Sequence, residues 1–139
     1  MEQRKTLILM MGPQGSGKTT YSKHKFSNFL RISYDEQGRD HRRLFDTAIE
    51  IGVNNILVDK TNPSKKARAR FIDLARKHNY YIEIVWMYFD RKVCKERILK
   101  RKNHETLKPE KADEALDQYF RNIETPEESE YNIMTTVIA

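Results

Sequence analysis

Short apolar runs alternate along the chain with longer stretches in which apolar residues have a helical spacing. A continuous apolar run bounded by charged residues or glycine is typical of a strand that is buried on both faces. Runs that are largely apolar lie at Thr6–Met11 and Tyr81–Phe89, and further strands are predicted at Phe29–Ser33, Asn55–Asp59 and Tyr131–Ile138. Strands that alternate with helices in this way predict an α/β fold, in which a parallel sheet carries helices on both faces.

The helical spacing predicts a helix in each of the longer intervals. The expected helices start near Lys18, cover His41–Ile51, run from Pro63 to about His78 and from Arg91 to about Lys102, and start again at Pro109. In the third helix, Asn62 is the expected N-cap and Pro63 the first residue, because both residue types favour these positions. Its predicted apolar face holds Ala67, Phe71, Leu74 and Ala75. Its other face carries cations that could follow a phosphate backbone, namely Lys65, Lys66, Arg68, Arg70, Arg76 and Lys77.

The composition is polar, with 38% hydrophobic and 33% charged residues among 139. That length still allows one compact core, and residues 1–139 are expected to form a single domain. No apolar run approaches the roughly 20 residues that a membrane-spanning helix needs. The sequence has one cysteine, Cys94, which excludes an internal disulfide and a cysteine-based zinc site and favours a cytoplasmic location.

Positive charge is concentrated in the middle of the chain. The net charge is +6, but residues 60–102 contain fourteen basic and four acidic residues, whereas residues 103–139 contain three basic and nine acidic ones. A basic block of this density indicates an anionic partner, which could be a nucleotide, a nucleic acid or both.

A glycine-rich segment after the first predicted strand carries the most specific motif. Gly12-Pro-Gln-Gly-Ser-Gly17-Lys18-Thr19, hereafter the phosphate loop, matches the pattern G-x-x-x-x-G-K-[ST], with a strand before it and a helix after it. The glycines allow backbone N–H groups to point at phosphate oxygens, and the helix N-terminus favours negative charge. Lys18 is expected to neutralise the β and γ phosphates, and Thr19 to place its hydroxyl on Mg²⁺. The motif therefore predicts binding of a nucleoside triphosphate with Mg²⁺.

Two carboxylates follow predicted strands, at the sheet edge where α/β proteins bind their ligands. Asp35 could accept the proton of an attacking hydroxyl, and Asp59 could steady the metal or Lys18. No Asn-Lys-x-Asp guanine box or Leu-Ser-Gly-Gly-Gln signature occurs, which disfavours a GTPase switch and a transporter motor. Arg97 and Arg101 lie one helical turn apart and could grip phosphate oxygens from a basic lid at about residues 100–108.

Together these segments resemble the kinase module of the polynucleotide 5′-hydroxyl kinases, within the wider family of small P-loop kinases. The resemblance rests on the phosphate loop, on Ser33-Tyr-Asp35, on Val58-Asp-Lys-Thr-Asn-Pro63 followed by Arg68, and on Lys100-Arg101. It implies a three-layer fold with strand order 2-3-1-4-5 and ATP as the donor. It also implies that Asp35 is the general base, that Asp59 supports the site, and that Arg101 contacts the transferring phosphate.

The sequence departs from this family at two positions. The arginine that often follows the base by three residues, and holds the acceptor phosphate, is replaced here by Gly38, with Arg39 one residue further on. The Asp-Thr-Asn turn has one extra residue, Lys60. Arg39 and Asn62 are therefore expected, together with Asp35, on the acceptor side.

The predicted function is ATP-dependent phosphoryl transfer to a hydroxyl of a nucleic acid, at the 5′ end of DNA or RNA. Three alternatives stay open: a small-molecule or nucleoside kinase, a kinase of a modified base in DNA, and a noncatalytic NTP-dependent switch. The catalytic residues are expected to be Lys18, Asp35 and Arg101, with Mg²⁺ at Thr19 and Asp59. The expected nucleotide-binding residues are Gly12, Gln14, Gly15, Ser16, Gly17, Lys18, Thr19, Thr20 and Arg97.

Overall fold

The computed structural model describes residues 4–100 and 109–138. Its five strands are β1 (Thr6–Met11), β2 (Leu30–Ile32), β3 (Asn55–Val58), β4 (Tyr81–Tyr88) and β5 (Ile133–Ile138). They form one parallel sheet of order β2-β3-β1-β4-β5, which confirms the expected order 2-3-1-4-5. Because β1 is central, the phosphate loop leaves the sheet at the middle of its carboxyl edge.

Helices connect the strands on both faces of the sheet. They are α1 (Lys18–Lys25), α2 (Tyr34–Gln37), α3 (His41–Ile51), α4 (Lys65–Lys77), α5 (Arg91–Lys100) and α6 (Pro109–Asn122), with 3₁₀ turns at Gly38–Asp40 and Glu128–Glu130. Within the described ranges, no helix has the length and apolar content needed to cross a membrane.

Alternate side chains of β1 enter two different cores, as the twofold period of a strand requires. Leu7 and Leu9 pack with α3 and α4, where Phe45 and Phe71 meet edge to face at 4.9 Å between ring centroids. Ile8 and Met10 pack on the opposite face, where partly buried aromatic residues near α1 cover them. A third cluster joins α5 to α6 and contains Cys94, which is buried as its position on an apolar helical face predicted.

The start of α4 differs from the prediction. The N-cap is Ser64, whose Oγ accepts a hydrogen bond from the Ala67 amide at 3.1 Å, so Asn62 is not the cap and Pro63 lies outside the helix. Asn62 instead adopts a left-handed conformation, with φ 47°, and its side-chain amide donates to the Met10 carbonyl at 2.8 Å. Asparagine tolerates this region better than most residues, and the bond ties the turn to the end of β1.

The charged face predicted for α4 is also wrong at one position, because Arg68 is fully buried. Its Nε donates to Glu130 at 2.8 Å, and one terminal nitrogen donates to the carbonyls of Asn62 and Pro63 at 3.0 and 2.9 Å. Arg68 therefore joins the start of α4 to the acidic turn before β5. On the same helix Ile72 is buried, whereas Ala67 and Leu74 are only partly covered.

Arg68→Met is expected to lower the free energy of unfolding by about 3–5 kcal/mol, because it leaves the Glu130 carboxylate and two carbonyls without their buried donor. Urea unfolding followed by circular dichroism measures the change. The control is Arg76→Met, on an exposed position of the same helix, for which we expect a change within about 0.5 kcal/mol. Equal stabilities of the two variants would show that the Arg68 ion pair does not hold this turn.

Candidate active site

Two glycines of the phosphate loop adopt backbone conformations in which a residue with a side chain would be strained. Gly15 and Gly17 have φ values of 79° and 89°, in the left-handed region that favours glycine. A Cβ on Gly15 would also overlap the backbone carbonyl of Cys94. Helix α5 therefore packs directly on the loop, and this contact fixes the curvature of the loop.

The N-terminus of α1 faces the space that the loop surrounds. In the described chain its N-cap, Gly17, makes no side-chain capping bond, and the first turn holds no acidic residue. The first backbone N–H groups of a helix lack partners inside the helix and favour an anion. Lys18 folds back over the loop, and its Nζ donates to the Pro13 carbonyl at 2.9 Å. This arrangement of donors and charge fits a polyphosphate.

The side chains of Thr19 and Asp59 meet beside the loop. Thr19 Oγ1 donates to Asp59 Oδ2 at 2.8 Å. A hydroxyl and a carboxylate are oxygen donors of the kind that Mg²⁺ takes, usually with substrate phosphates and water as its other ligands. Over residues 4–100 and 109–138, no group of three or more His, Cys, Asp or Glu side chains forms a metal site. These two side chains fit a metal that is bound jointly with a nucleotide, and Thr19 and Asp59 would hold it.

Arg31, which the sequence analysis did not select, positions Asp59. Its guanidinium donates to Asp59 Oδ2 at 2.6 Å, to Ser22 Oγ at 2.6 Å and to Glu36 Oε1 at 3.0 Å. Burial alone would lower the pKa of Arg31, but the carboxylates of Asp59 and Glu36 raise it above its ordinary value. Arg31 thus links α1, α2 and the end of β3. A lone arginine in a short strand resembles surface charge, so no pattern in the sequence indicates this role.

Asp35 lies on α2, immediately after β2. Ser33 caps this short helix, because its Oγ accepts from the Glu36 amide at 3.2 Å. The Asp35 side chain is exposed and lines a cavity of about 450 Å³, hereafter the reaction cavity. Lys18, Thr19 and Asp59 line the same cavity. The fold therefore brings together four side chains that come from three separate segments of the sequence.

Lys60 is a second residue that the sequence analysis did not place in the site. Its Nζ lies 3.0 Å from His41 Nε2, and His41 Nδ1 lies 2.8 Å from the Gly38 carbonyl. Because a carbonyl only accepts, Nδ1 carries the proton and Nε2 accepts from Lys60. Burial, and then the nearby Arg42 and Arg70, lower the pKa of Lys60. Burial also lowers the pKa of His41, although its hydrogen bond to the Gly38 carbonyl acts in the opposite direction. Lys60 lines the reaction cavity and also a second cavity beside it.

Arg97 lies on the other side of the phosphate loop. It donates to the Ser16 carbonyl at 3.2 Å, and its guanidinium stands 4.7 Å from the centroid of the Phe89 ring. With Gly17 and Thr20, Arg97 lines a separate cavity of about 460 Å³. Arg97 is not among the residues that line the reaction cavity, where Asp35 lies.

The remaining predicted residues are placed as follows. Gln14 lines the reaction cavity, and its Oε1, like Ser16 Oγ, is buried without a hydrogen-bond partner in the part of the chain that the structure describes. Asn62 lines the second cavity, but its side-chain amide donates to the Met10 carbonyl.

Arg39 and Arg101 are the predicted acceptor-side and lid arginines. Arg39 is exposed on the 3₁₀ turn and is not among the residues that line either cavity. Arg101 and the predicted lid at about residues 100–108, apart from Lys100, lie outside the described residues.

Comparisons with known proteins give a family and a fold. Residues 35–126 match the model of a family described as an AAA domain. No curated protein sequence matches the chain.

Several solved structures share the fold. A sugar kinase from Janibacter sp. HTCC2649 has a TM-score of 0.68 at 18% identity, covering 96% of this chain and 85% of that one. Kti12 from Chaetomium thermophilum, solved with ADP-AlF3, has a TM-score of 0.67 at 17% identity, covering 95% and 88%. A fungal RNA kinase has a TM-score of 0.70 at 13% identity, covering 98% of this chain and 38% of its own. At these identities the likeness establishes the P-loop kinase fold.

Proposed function

The chain belongs to the AAA domain family, and from that premise we propose that it is an ATP-dependent kinase that phosphorylates a hydroxyl of a nucleic acid, at the 5′ end of DNA or RNA. One observation carries the proposal: Asp35 shares the reaction cavity with Lys18 and with the Thr19–Asp59 pair. A carboxylate in that place can accept the proton of an acceptor hydroxyl, which is the role that phosphoryl transfer to an alcohol offers it.

Each side chain then has a defined task. Asp35 accepts the proton of the attacking hydroxyl, and Lys18 and the α1 N-terminus stabilise negative charge on the donor phosphates. Bound ATP would supply the phosphoryl group, and Thr19 and Asp59 would hold the Mg²⁺ that neutralises charge on its phosphates. Arg31 keeps the Asp59 carboxylate oriented toward Thr19. Positioning and charge, rather than covalent catalysis, supply the rate enhancement in phosphoryl transfer.

Positively charged side chains beside the reaction cavity bear on the choice of acceptor. Arg42, Lys60 and Lys66 line the adjoining cavity, which suits an acceptor that carries phosphate. One structural neighbour is named an RNA kinase, which agrees with this acceptor, while another is named a sugar kinase. A small-molecule kinase is therefore the second proposal, and the experiment below separates the two.

The cationic face of α4 does not supply the phosphate track that its sequence suggested. Arg68 is buried with Glu130, Arg70 pairs with Asp46, and Lys65 pairs with Glu127. These carboxylates neutralise much of the charge of the helix. We therefore propose that the acceptor is held at the reaction cavity and beside it rather than along α4.

Transfer of label from γ-³²P-ATP tests the proposal. The protein is incubated with Mg²⁺ and equal concentrations of 5′-hydroxyl oligonucleotides, nucleosides and sugars. We expect label on the oligonucleotide ends, because only these acceptors offer both a hydroxyl and adjacent phosphates. A 5′-phosphorylated oligonucleotide is the matched control and should stay unlabelled. Label confined to sugars or nucleosides would favour the second proposal, and label on none of the acceptors would contradict both.

The role of Arg101 at the transferring phosphate and a cytoplasmic location stay predictions from the sequence.

A further inference from the structure

The two edges of the sheet differ in what they offer to another strand. β2, at one edge, has three residues and carries Arg31, and both its short length and its charge protect an edge against pairing. β5, at the other edge, has six residues, Ile-Met-Thr-Thr-Val-Ile, with no charged residue, glycine or proline. Within residues 4–100 and 109–138, β5 pairs with β4 alone. An edge of this length and composition is a template for a further strand.

Apolar side chains are exposed along and beside β5. Ile133 and Ile138, at its two ends, have exposed fractions of 45% and 70%. Tyr88, which is paired with Ile138 on β4, is 57% exposed. Large apolar side chains gain free energy when a second surface covers them. The edge therefore combines outward-pointing main-chain groups, which every edge strand has, with apolar surface that favours burial.

The distribution of charge around β5 favours a second copy of the same chain as the partner. The net charge of +6 opposes association through the charged surfaces of two copies. β5 itself has no charge, and the one charged residue of β4, Glu83, accepts a hydrogen bond from Thr135 Oγ1 at 3.1 Å. Two copies can therefore pair along β5 without placing like charges directly opposite each other.

The segments beyond the two ends of β5 have opposite charges. Residues 124–130, which precede β5, contain four glutamates and no basic residue. α5, which begins beyond the carboxyl end of β4, contains five basic residues and one acidic residue. Several of these side chains pair within the chain, but in the described ranges the exposed Glu128 and Lys92 form no ion pair. An antiparallel copy would bring the acidic segment of each chain toward the basic segment of the other.

We infer that β5 is the surface through which two copies of this chain associate, antiparallel and about a twofold axis, so that two five-stranded sheets become one. Such an interface is isologous, since each copy supplies the same residues. The axis passes beside Thr136, because this register sets the exposed Ile138 of each copy against Met134 of the other. Asp35 follows β2 at the opposite edge of the sheet. The acceptor side of each copy therefore stays open in the pair.

Sedimentation equilibrium at roughly 1–100 μM, the range in which small interfaces dissociate, tests the inference. We expect the mass of the wild-type protein to rise with concentration toward twice that of one chain. Thr136→Lys places two like charges opposite each other at the axis and should raise the dissociation constant at least about fivefold. Thr136→Glu should do the same. An equal mixture of the two variants should associate at least as tightly as wild type, because opposite charges then face each other.

Thr47→Lys is the matched control, since Thr47 is an exposed threonine on α3 rather than on β5; its dissociation constant should stay within about twofold of wild type. Circular dichroism checks that each variant is folded, as the exposure of Thr136 predicts. A wild-type protein that stays monomeric throughout, as it would if β5 received only a strand of another protein, would overturn the inference. So would an unchanged dissociation constant in both Thr136 variants, or folded variants that fail to associate when mixed.

The inference goes beyond the proposed function and does not depend on it. Sedimentation reports association whether or not the protein transfers phosphate, so a failed kinase assay would contradict the proposed function alone. Conversely, a monomeric wild-type protein that labels an acceptor would overturn the interface and leave the kinase activity standing.

Discussion

Lys18→Ala is expected to reduce kcat for phosphoryl transfer by at least about 10²–10³-fold, with the fold intact. The variant removes a positive charge that stands over the phosphate loop, where charge develops on the donor oxygens. Its effect on stability should stay near 1 kcal/mol, because the main-chain bond from Lys18 Nζ to Pro13 is an ordinary one. Label transfer from γ-³²P-ATP measures the first quantity, and thermal unfolding by circular dichroism measures the second.

A matched control separates this local effect from a general loss of positive charge. Lys23 lies on the same helix and is exposed. Lys23→Ala should retain turnover within about twofold of wild type. If Lys18→Ala kept normal turnover, the phosphate loop would not be the donor site.

Asp35→Asn is expected to lower kcat by about 10²–10⁴-fold, the usual contribution of a positioned general base. The amide has nearly the same shape as the carboxylate but cannot accept the proton. The Ser33 cap that shapes α2 does not involve the Asp35 side chain, so the helix should persist. Because Asp35 is assigned to the acceptor, KM for ATP should change by less than about threefold. Steady-state kinetics with each substrate varied separately give both parameters.

Asp73→Asn is the control for Asp35→Asn. Asp73 is an exposed carboxylate on α4 and lines neither cavity, so its loss should leave both kinetic parameters unchanged. Should Asp35→Asn turn over at a rate close to wild type, another group would have to take the proton, and the assignment of the base would be wrong.

The elements that the sequence predicted well are those that depend on local pattern. The apolar runs at Thr6–Met11 and Asn55–Asp59 are strands in the structure, shortened by at most one residue. The phosphate loop has the strand before it and the helix after it that the motif requires. The strand order came from the resemblance, since no periodicity in the sequence states which strands are neighbours.

The sequence analysis missed the residues whose roles depend on contacts between distant segments of the chain. Arg68 lies in the core because it pairs with Glu130, which is 62 positions later in the chain. No residue near Arg68 in the sequence predicts that partner. Asn62 donates to the Met10 carbonyl of β1 instead of capping α4, and this contact exists because β1 and β3 are neighbours in the sheet. Arg31 and Lys60 acquire their roles in the same way, through Asp59 and His41.

The short edge strand has a further consequence for the enzyme in solution. β2 has three residues and pairs with β3 alone, and it carries Arg31 and leads directly into Asp35. Edge segments of this kind open at a lower free energy than the central strands. Fraying of β2 would displace Asp35, the proposed proton acceptor, and release the Asp59 carboxylate in one event, while the central strands stay paired. Heat or mild denaturant should therefore inactivate the protein before its core melts.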